Sequence, residues 1–133
     1  MHTVVASGVF DVLHPGHIHY LREARAAGDR LIVIVTSDGH ARRTKRPPIH
    51  TETERAALVA AVSGVDGVVI GADPYDLRTM LDRTQPQVIA LGYDQHFDEV
   101  ALATECAAFG HVVEVIRIPK HAATKIATRD VIH

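Results

Sequence analysis

Short runs of β-branched and aliphatic residues alternate with helical patterns along most of the chain. The five runs are Thr3–Ala6, Leu31–Val35, Val65–Ile70, Val88–Leu91 and Val112–Ile118. The helical patterns between them are His17–Ala27, Thr53–Val62, Asp76–Arg83 and Asp98–Phe109. Strands that are apolar on both faces and separated by helices are typical of a parallel sheet covered on both sides. Because such crossovers are almost always right-handed, the pattern predicts a doubly wound α/β fold with five parallel strands.

Length and composition exclude several classes of protein. A chain of 133 residues fits one domain, and we expect residues 1–133 to form it. Hydrophobic residues at 47% and charged residues at 23% exclude a disordered chain, and the net charge of -2 excludes a polycation that binds nucleic acid. The apolar runs are far shorter than the roughly 18 residues of a membrane helix, and a signal peptide core is missing, so we expect a cytoplasmic protein without a membrane partner. The single cysteine, Cys106, excludes an intramolecular disulfide and a cysteine-based zinc site.

A turn and helix start follow the first strand. Its sequence is Gly8-Val9-Phe10-Asp11-Val12-Leu13-His14-Pro15-Gly16-His17. Gly8 allows a sharp turn, Pro15 suits the first turn of a helix, and Gly16 leaves the backbone open to a ligand. A helix N-terminus attracts anions, and His14 and His17, three residues apart, can flank one phosphate. Walker and Gly-x-Gly-x-x-Gly motifs are lacking, so the pattern predicts a nucleotide-phosphate site of a different type.

One long segment, Ser37–His50, shows no regular pattern and is predicted to be a functional or mobile loop. It carries four basic residues, Arg42, Arg43, Lys45 and Arg46, followed by two prolines. Their mutual repulsion predicts poor order without an anion. Lys45 is the candidate for direct contact with a triphosphate, because a flexible ammonium can follow the phosphates; a solvated basic loop is the alternative.

Two acidic residues have more than one interpretation. Asp11 could hold the turn or the water shell of a metal ion, or it could cap the helix that starts near His17. Asp94 follows a strand and Gly92, where a carboxylate could bind a ribose hydroxyl or position a lysine or a metal ion. Asp94 could also cap a helix, although Asp98 fits that role better.

Three blocks carry a resemblance to a known family. The residues Gly8-x-Phe10-Asp11-x-x-His14-x-Gly16-His17 resemble the signature of the cytidylyltransferase-like branch of the HIGH-type nucleotidyltransferases. A second block, Leu91-Gly92-Tyr93-Asp94-Gln95-His96-Phe97-Asp98-Glu99, is similar to the corresponding block of archaeal FAD synthases. A third, Ile126–Ile132, resembles the Ser-Thr start of the family's last helix, with Ala127 in place of the usual serine.

The resemblance implies site residues, substrates and a reaction. It implies catalytic roles for His14, His17 and Lys45, and nucleotide contacts from Val9, Phe10, Asp11, His14, Pro15, Gly16, His17, Arg55, Asp94, His121 and Thr128. For Arg55 the alternative is an ordinary surface arginine, and for Thr128 a plain helix cap. The implied reaction moves AMP from ATP to FMN, yields FAD and pyrophosphate, uses Mg²⁺ and takes place in a homodimer.

Two other functions stay open at this point. One is a CTP-dependent cytidylyltransferase that acts on a small phosphate ester such as glycerol 3-phosphate. The block typical of choline- and ethanolamine-phosphate cytidylyltransferases appears here as Ser63-Gly64-Val65-Asp66-Gly67-Val68, which weakens an interpretation as an enzyme of phospholipid synthesis. The other is a non-catalytic nucleotide- or flavin-binding module, and the presence of both His14 and His17 argues against it.

Overall fold

Strands and helices alternate through residues 2–120, which are the residues that the computed structural model describes. The strands are β1 (Thr3–Gly8), β2 (Arg30–Val35), β3 (Gly67–Ile70), β4 (Val88–Leu91) and β5 (Glu114–Arg117). The helices are α1 (Pro15–Ala26), α2 (Asp38–Thr44), α3 (Glu52–Ala60), α4 (Leu77–Thr84) and α5 (Glu99–Ala108). All five predicted strands and all four predicted helices are therefore present, with small shifts at their ends.

The five strands form one parallel sheet in the order β3-β2-β1-β4-β5. The chain builds outward from β1 to β3 on one side and then returns to add β4 and β5 on the other. The strand order therefore reverses between β1 and β4. In open parallel sheets the crevice at such a reversal, beyond the carboxyl ends of the strands, is where ligands bind. The predicted fold class is confirmed.

Alternate residues of the strands pack on opposite faces of the sheet, as a strand requires. On one face Val4 of β1 packs with Leu21 of α1 and Val59 of α3. On the other face Val5 packs with Leu81 of α4 and Cys106 of α5. Helices thus cover both faces, which explains why the strands are apolar on both sides.

The prediction that Ser37–His50 is irregular throughout is wrong for its first half, which forms α2. The Ser37 hydroxyl accepts a hydrogen bond from the His40 N–H at 3.1 Å and caps the helix. Ala41 is fully buried, so the short helix is held against the rest of the molecule. A single apolar position among basic residues is too weak a pattern to predict a helix, and tertiary contact supplies the stability that short helices lack.

The predicted capping box of α3 is confirmed. The Thr51 hydroxyl accepts from the Glu54 N–H at 3.2 Å, and the Glu54 carboxylate accepts from the Thr51 N–H at 3.0 Å. Within residues 2–120, helices of the length and apolarity that a membrane crossing requires do not occur.

Candidate active site

The turn after β1 is shaped by Phe10 and Gly8. Phe10 has a backbone φ of +53° and a side chain that is only 3% exposed, packed in the core. A Cβ on Gly8 would lie 2.9 Å from carbons of the Phe10 ring, so only glycine allows this packing. The edge of the Phe10 ring also meets the His17 ring, with centroids 5.4 Å apart. The predicted nucleotide contact of Phe10 therefore does not involve its side chain, which supports the turn and His17 instead.

His14 and His17 form the N-terminal cap of α1. Nδ1 of His14 accepts from the Gly16 N–H at 3.0 Å, and Nδ1 of His17 accepts from the His14 N–H at 3.3 Å. The two rings lie side by side with centroids 3.9 Å apart. Since Nδ1 of His14 is an acceptor, a neutral His14 ring carries its proton on Nε2. The cap thus leaves the Nε2–H donor of His14 beside the His17 ring at a helix N-terminus, where the helix dipole also favours an anion.

Gly16 has a role that adds to the predicted one. A Cβ at this position would lie 2.7 Å from Cε1 of the His14 ring. The glycine therefore makes room for His14 to fold back onto the helix start, and Pro15 occupies the first helical position as predicted. The backbone conformation of the cap and the orientation of His14 depend on each other here.

The local electrostatics favour a neutral His17. Desolvation is the main cause that lowers the pKa of His17, and the charge of His14 lowers it further. The Asp94 carboxylate and a hydrogen bond with the Val12 backbone act in the opposite direction. Asp94 is exposed in the turn after β4, so β1 and β4 bring His17 and this carboxylate into the same crevice. Asp98, and not Asp94, caps α5, as expected: its carboxylate accepts from the Ala101 N–H at 2.9 Å.

Asp11 binds the segment that follows α2. Its two carboxylate oxygens accept from the Ile49 and His50 N–H groups, each at 2.9 Å. These two hydrogen bonds are the main reason that the pKa of Asp11 lies below its ordinary value. The alternative in which Asp11 caps α1 is wrong, because His14 does so. Asp11 instead fixes the end of the segment after Lys45 to the turn that carries the histidines.

Arg55 is completely buried, so the ordinary-surface alternative is wrong. Its guanidinium donates to the carbonyls of Val9 and Thr36, each at 2.8 Å, and to His50 at 3.0 Å. It also forms an ion pair with Asp38 at 2.7 Å. In this structure Arg55 has a supporting role, because it ties together the turns after β1 and β2, and its phosphate contact stays a prediction. The backbone carbonyl of Val9, another predicted site residue, is one of its anchors.

The basic residues of the Ser37–His50 segment separate into two groups. Arg43 in α2 pairs with Asp73. This pair neutralises part of the positive charge from which poor order of the segment was predicted. Lys45 ends α2 as its C-terminal cap and is exposed. Lys45 therefore remains available to a ligand. The predicted contacts of His121 and Thr128 fall outside the described residues.

Arg117 is a structural residue of the site that the sequence did not point to. From β5 it donates to the carbonyl of Gly92 at 2.9 Å, and to the carbonyls of Gln95 and Phe97. It also pairs with Glu99. Arg117 thus holds the whole turn that carries Asp94. A lone arginine in a strand offers no sequence signal for this role, because its acceptors are backbone atoms of a distant loop.

Comparison with known proteins shows the family of this chain. The family model described as cytidylyltransferase-like matches residues 5–133. The chain therefore belongs to the cytidylyltransferase-like family and is a nucleotidyltransferase.

Its curated relatives include archaeal FAD synthases. The chain is 42% identical to the FAD synthase of Thermoplasma volcanium over 118 residues, which cover 89% of this chain and 82% of the relative. It is 42% identical to that of Aciduliprofundum boonei over 130 residues, which cover 97% and 87%. Identity to the FAD synthase of Pyrococcus abyssi is 46%, with 87% and 79% covered.

Solved structures share the fold. One is described as the lipopolysaccharide core biosynthesis protein of Thermoplasma volcanium. It is similar with a TM-score of 0.88 and 41% identity, over 91% of this chain and 98% of the other. A pantothenate synthetase of Thermus thermophilus is 18% identical with a TM-score of 0.59, over 88% of this chain and 55% of the other. That second likeness shows the fold alone.

Proposed function

We propose that this protein is an FAD synthase, which transfers the AMP moiety of ATP to the phosphate of FMN and releases pyrophosphate. The observation that carries the proposal is the group of FAD synthases at 42–46% identity over most of the chain, together with an intact His14–His17 cap. The same relatives do not favour a CTP-dependent enzyme for glycerol 3-phosphate or a non-catalytic binding module.

The reaction forms one bond and breaks one. A phosphate oxygen of FMN attacks the α-phosphorus of ATP, and the bond from that phosphorus to the oxygen bridging the α- and β-phosphates breaks, so pyrophosphate leaves. The second pKa of a phosphate monoester is about 6, so the attacking group is ionised at neutral pH and needs no general base. The protein has to align the two phosphates and stabilise the negative charge of the transition state.

The residues after β1 and β4 fit that requirement. The imidazoles of His14 and His17 donate hydrogen bonds to the oxygens of the reacting phosphate, and the start of α1 adds its dipole. Lys45 binds the β- and γ-phosphates, and the Asp94 carboxylate accepts from a ribose hydroxyl. Thr128 and His121 contribute further nucleotide contacts in this proposal.

ATP is expected to enter as its Mg²⁺ complex, since Mg²⁺ keeps several waters and binds substrate phosphates. The part of the chain that the structure describes holds no cluster of three or more His, Cys, Asp or Glu side chains placed for a metal ion. Asp11, one candidate for the metal's water shell, has both oxygens bound to the segment after α2. The homodimer and the cytoplasmic location stay predictions, and light scattering at assay concentration tests the former.

The decisive experiment incubates the protein and Mg²⁺ with each pairing of ATP or CTP with FMN or glycerol 3-phosphate. Pyrophosphate release and chromatographic separation of FAD are followed together. We expect FAD and pyrophosphate in equal amounts from ATP with FMN only. Product from CTP with glycerol 3-phosphate, or flavin binding without turnover in any pairing, would contradict the proposal. A His14→Ala variant purified in parallel controls for contaminating activity.

A further inference from the structure

The pairing between β1 and β4 stops just before the candidate active site. The last paired residues are Ala6 of β1 and Ala90 of β4. Continued by one residue, the register would place Ser7 opposite Leu91. A parallel ladder would then join the Ser7 N–H to the Ala90 carbonyl and the Gly92 N–H to the Ser7 carbonyl.

Side chains from outside the two strands occupy both of these positions. The Tyr20 hydroxyl of α1 accepts from the Ser7 N–H at 3.2 Å and donates to the Ala90 carbonyl at 2.5 Å. Burial raises the pKa of Tyr20, so the hydroxyl keeps the proton that it donates. The first missing ladder bond is therefore relayed through one oxygen atom.

The second missing bond is relayed through an amide. The Gln95 side chain accepts from the Gly92 N–H at 2.9 Å through Oε1, and it donates to the Ser7 carbonyl at 3.0 Å through Nε2. Every backbone N–H and carbonyl that the ladder would have used still has a hydrogen-bond partner. The partner is now the Tyr20 hydroxyl or the Gln95 amide, which lies between the strands. The strands consequently diverge by a set amount instead of separating freely.

The strands β1 and β4 diverge next to the turns that carry the candidate active-site residues. The β1 side of the opening leads to the turn that carries His17, and the β4 side leads to Asp94. Arg117 of the neighbouring strand β5 donates to the backbone carbonyl of Gln95. The backbone of Gln95 is therefore held by Arg117, and its side-chain amide is held by Gly92 and Ser7.

We propose that Tyr20 and Gln95 are positioning residues that set the width of the crevice between β1 and β4, and thereby the separation of the two halves of the active site. The inference rests on the proposed function for its kinetic test. Displacement of reacting groups by about 1 Å can cost on the order of 100-fold in rate. Loss of either relay should therefore lower kcat while substrate binding is largely kept.

The chain offers a matched control at the other end of the same two strands. There the Gln87 side chain, before β4, accepts from the Thr3 N–H of β1 at 2.7 Å. Gln87→Leu thus removes the same kind of amide bridge between the same strands, away from the crevice. Tyr75→Phe, in the loop before α4, is the corresponding control for Tyr20→Phe.

The test compares kcat, KM and thermal stability of these four variants and the wild type with ATP and FMN. We expect Gln95→Leu to lower kcat by about 100-fold, with KM values within a few-fold of the wild type. Gln87→Leu should keep kcat within a few-fold at a similar loss of thermal stability. Tyr20→Phe should also lower kcat. If Gln95→Leu does not fold, the comparison of Tyr20→Phe with Tyr75→Phe tests the proposal instead. Equal kcat values for Gln95→Leu and Gln87→Leu would overturn the proposal.

A second measurement needs no substrate. The pKa of the His17 ring, measured by NMR titration of the free protein, depends on its burial and on its distance from the charges of His14 and Asp94. Gln95→Leu should change the pKa of His17, whereas Gln87→Leu should leave it at the wild-type value; no change in either variant would also overturn the proposal. If the wild type makes no FAD, the proposed function fails, and this titration still decides the role of Gln95.

Discussion

Removal of the buried guanidinium of Arg55 should destabilise the protein far more than removal of an exposed one. Arg55→Met keeps a chain of similar length but leaves the carbonyls of Val9, Thr36 and His50 without their donor and Asp38 without its partner. Breaking one side of a buried ion pair costs about 3–5 kcal/mol, because the remaining group is left without its partner. The Asp38 side chain is 26% exposed, so water recovers part of that cost. We expect a loss of about 3–4 kcal/mol.

Arg25→Met is the matched control. Arg25 pairs with Asp66 at 3.2 Å, but the two side chains are 38% and 41% exposed. Exposed pairs contribute about 1 kcal/mol or less. Urea unfolding followed by circular dichroism measures both variants against the wild type. Equal losses of unfolding free energy for Arg55→Met and Arg25→Met would refute the reasoning that burial makes Arg55 decisive.

The pH dependence of the same difference provides a second check. Burial by itself would raise the pKa of Asp38, but the hydrogen bond and charge of Arg55, together with a backbone hydrogen bond from Glu52 and the charge of Arg42, hold the pKa below its ordinary value. Because the folded-state pKa is the lower one, the pair stabilises fully above about pH 4 and loses this effect as the pH falls through the folded value. The difference in unfolding free energy between the wild type and Arg55→Met should therefore become smaller as the pH falls below about 4.

Four further outcomes are expected. His14→Ala and His17→Ala should each lower turnover by roughly 100- to 1,000-fold, measured as FAD formation, while the folded state persists; near-normal turnover would remove the phosphate role of that histidine. Gly16→Ala should lower turnover because its Cβ displaces the His14 ring, while thermal stability changes little because the lost cap offsets the higher helix propensity of alanine. Lys45→Ala should raise the KM for ATP clearly more than Arg42→Ala, and ATP with Mg²⁺ should slow proteolysis after α2; identical digestion with and without nucleotide would argue for a solvated segment. The pKa of His17 is lowered, mainly by desolvation, so its contribution to unfolding free energy is present above about pH 6.5 and is lost as the pH falls; His17→Asn should flatten that part of the stability profile measured by urea unfolding.

Much of the architecture could be predicted from local patterns. Apolar β-branched runs marked all five strands, and turn and cap residues marked the starts of the long helices. The exception was α2, where the stabilising contacts are the burial of Ala41 and the pairing of Arg43 with Asp73. Neither contact has a local pattern, because Asp73 lies 30 residues further along the chain.

The site was predictable where one short segment contains its chemistry. His14, Gly16 and His17 lie within four residues, and their spacing indicated an anion site at a helix start before any contact was known. The same segment did not reveal that Phe10 packs in the core or that Asp11 binds residues 49 and 50. Those contacts depend on how parts of the chain that are far apart in sequence pack together. The sequence alone therefore does not show whether such a side chain is exposed or buried.

The sequence by itself determined the alternation of strands and helices, the parallel sheet and the histidine cap, because each follows from residues that are close together in the chain. Only the tertiary structure decided which distant groups meet at the strand reversal. Arg55 supports the turn after β1 from α3, Arg117 holds the turn after β4 from β5, and Tyr20 and Gln95 stand between the two strands. The physical reason is that many of their partners are backbone carbonyls and N–H groups, which residues of nearly every type carry and which therefore leave no mark on the sequence.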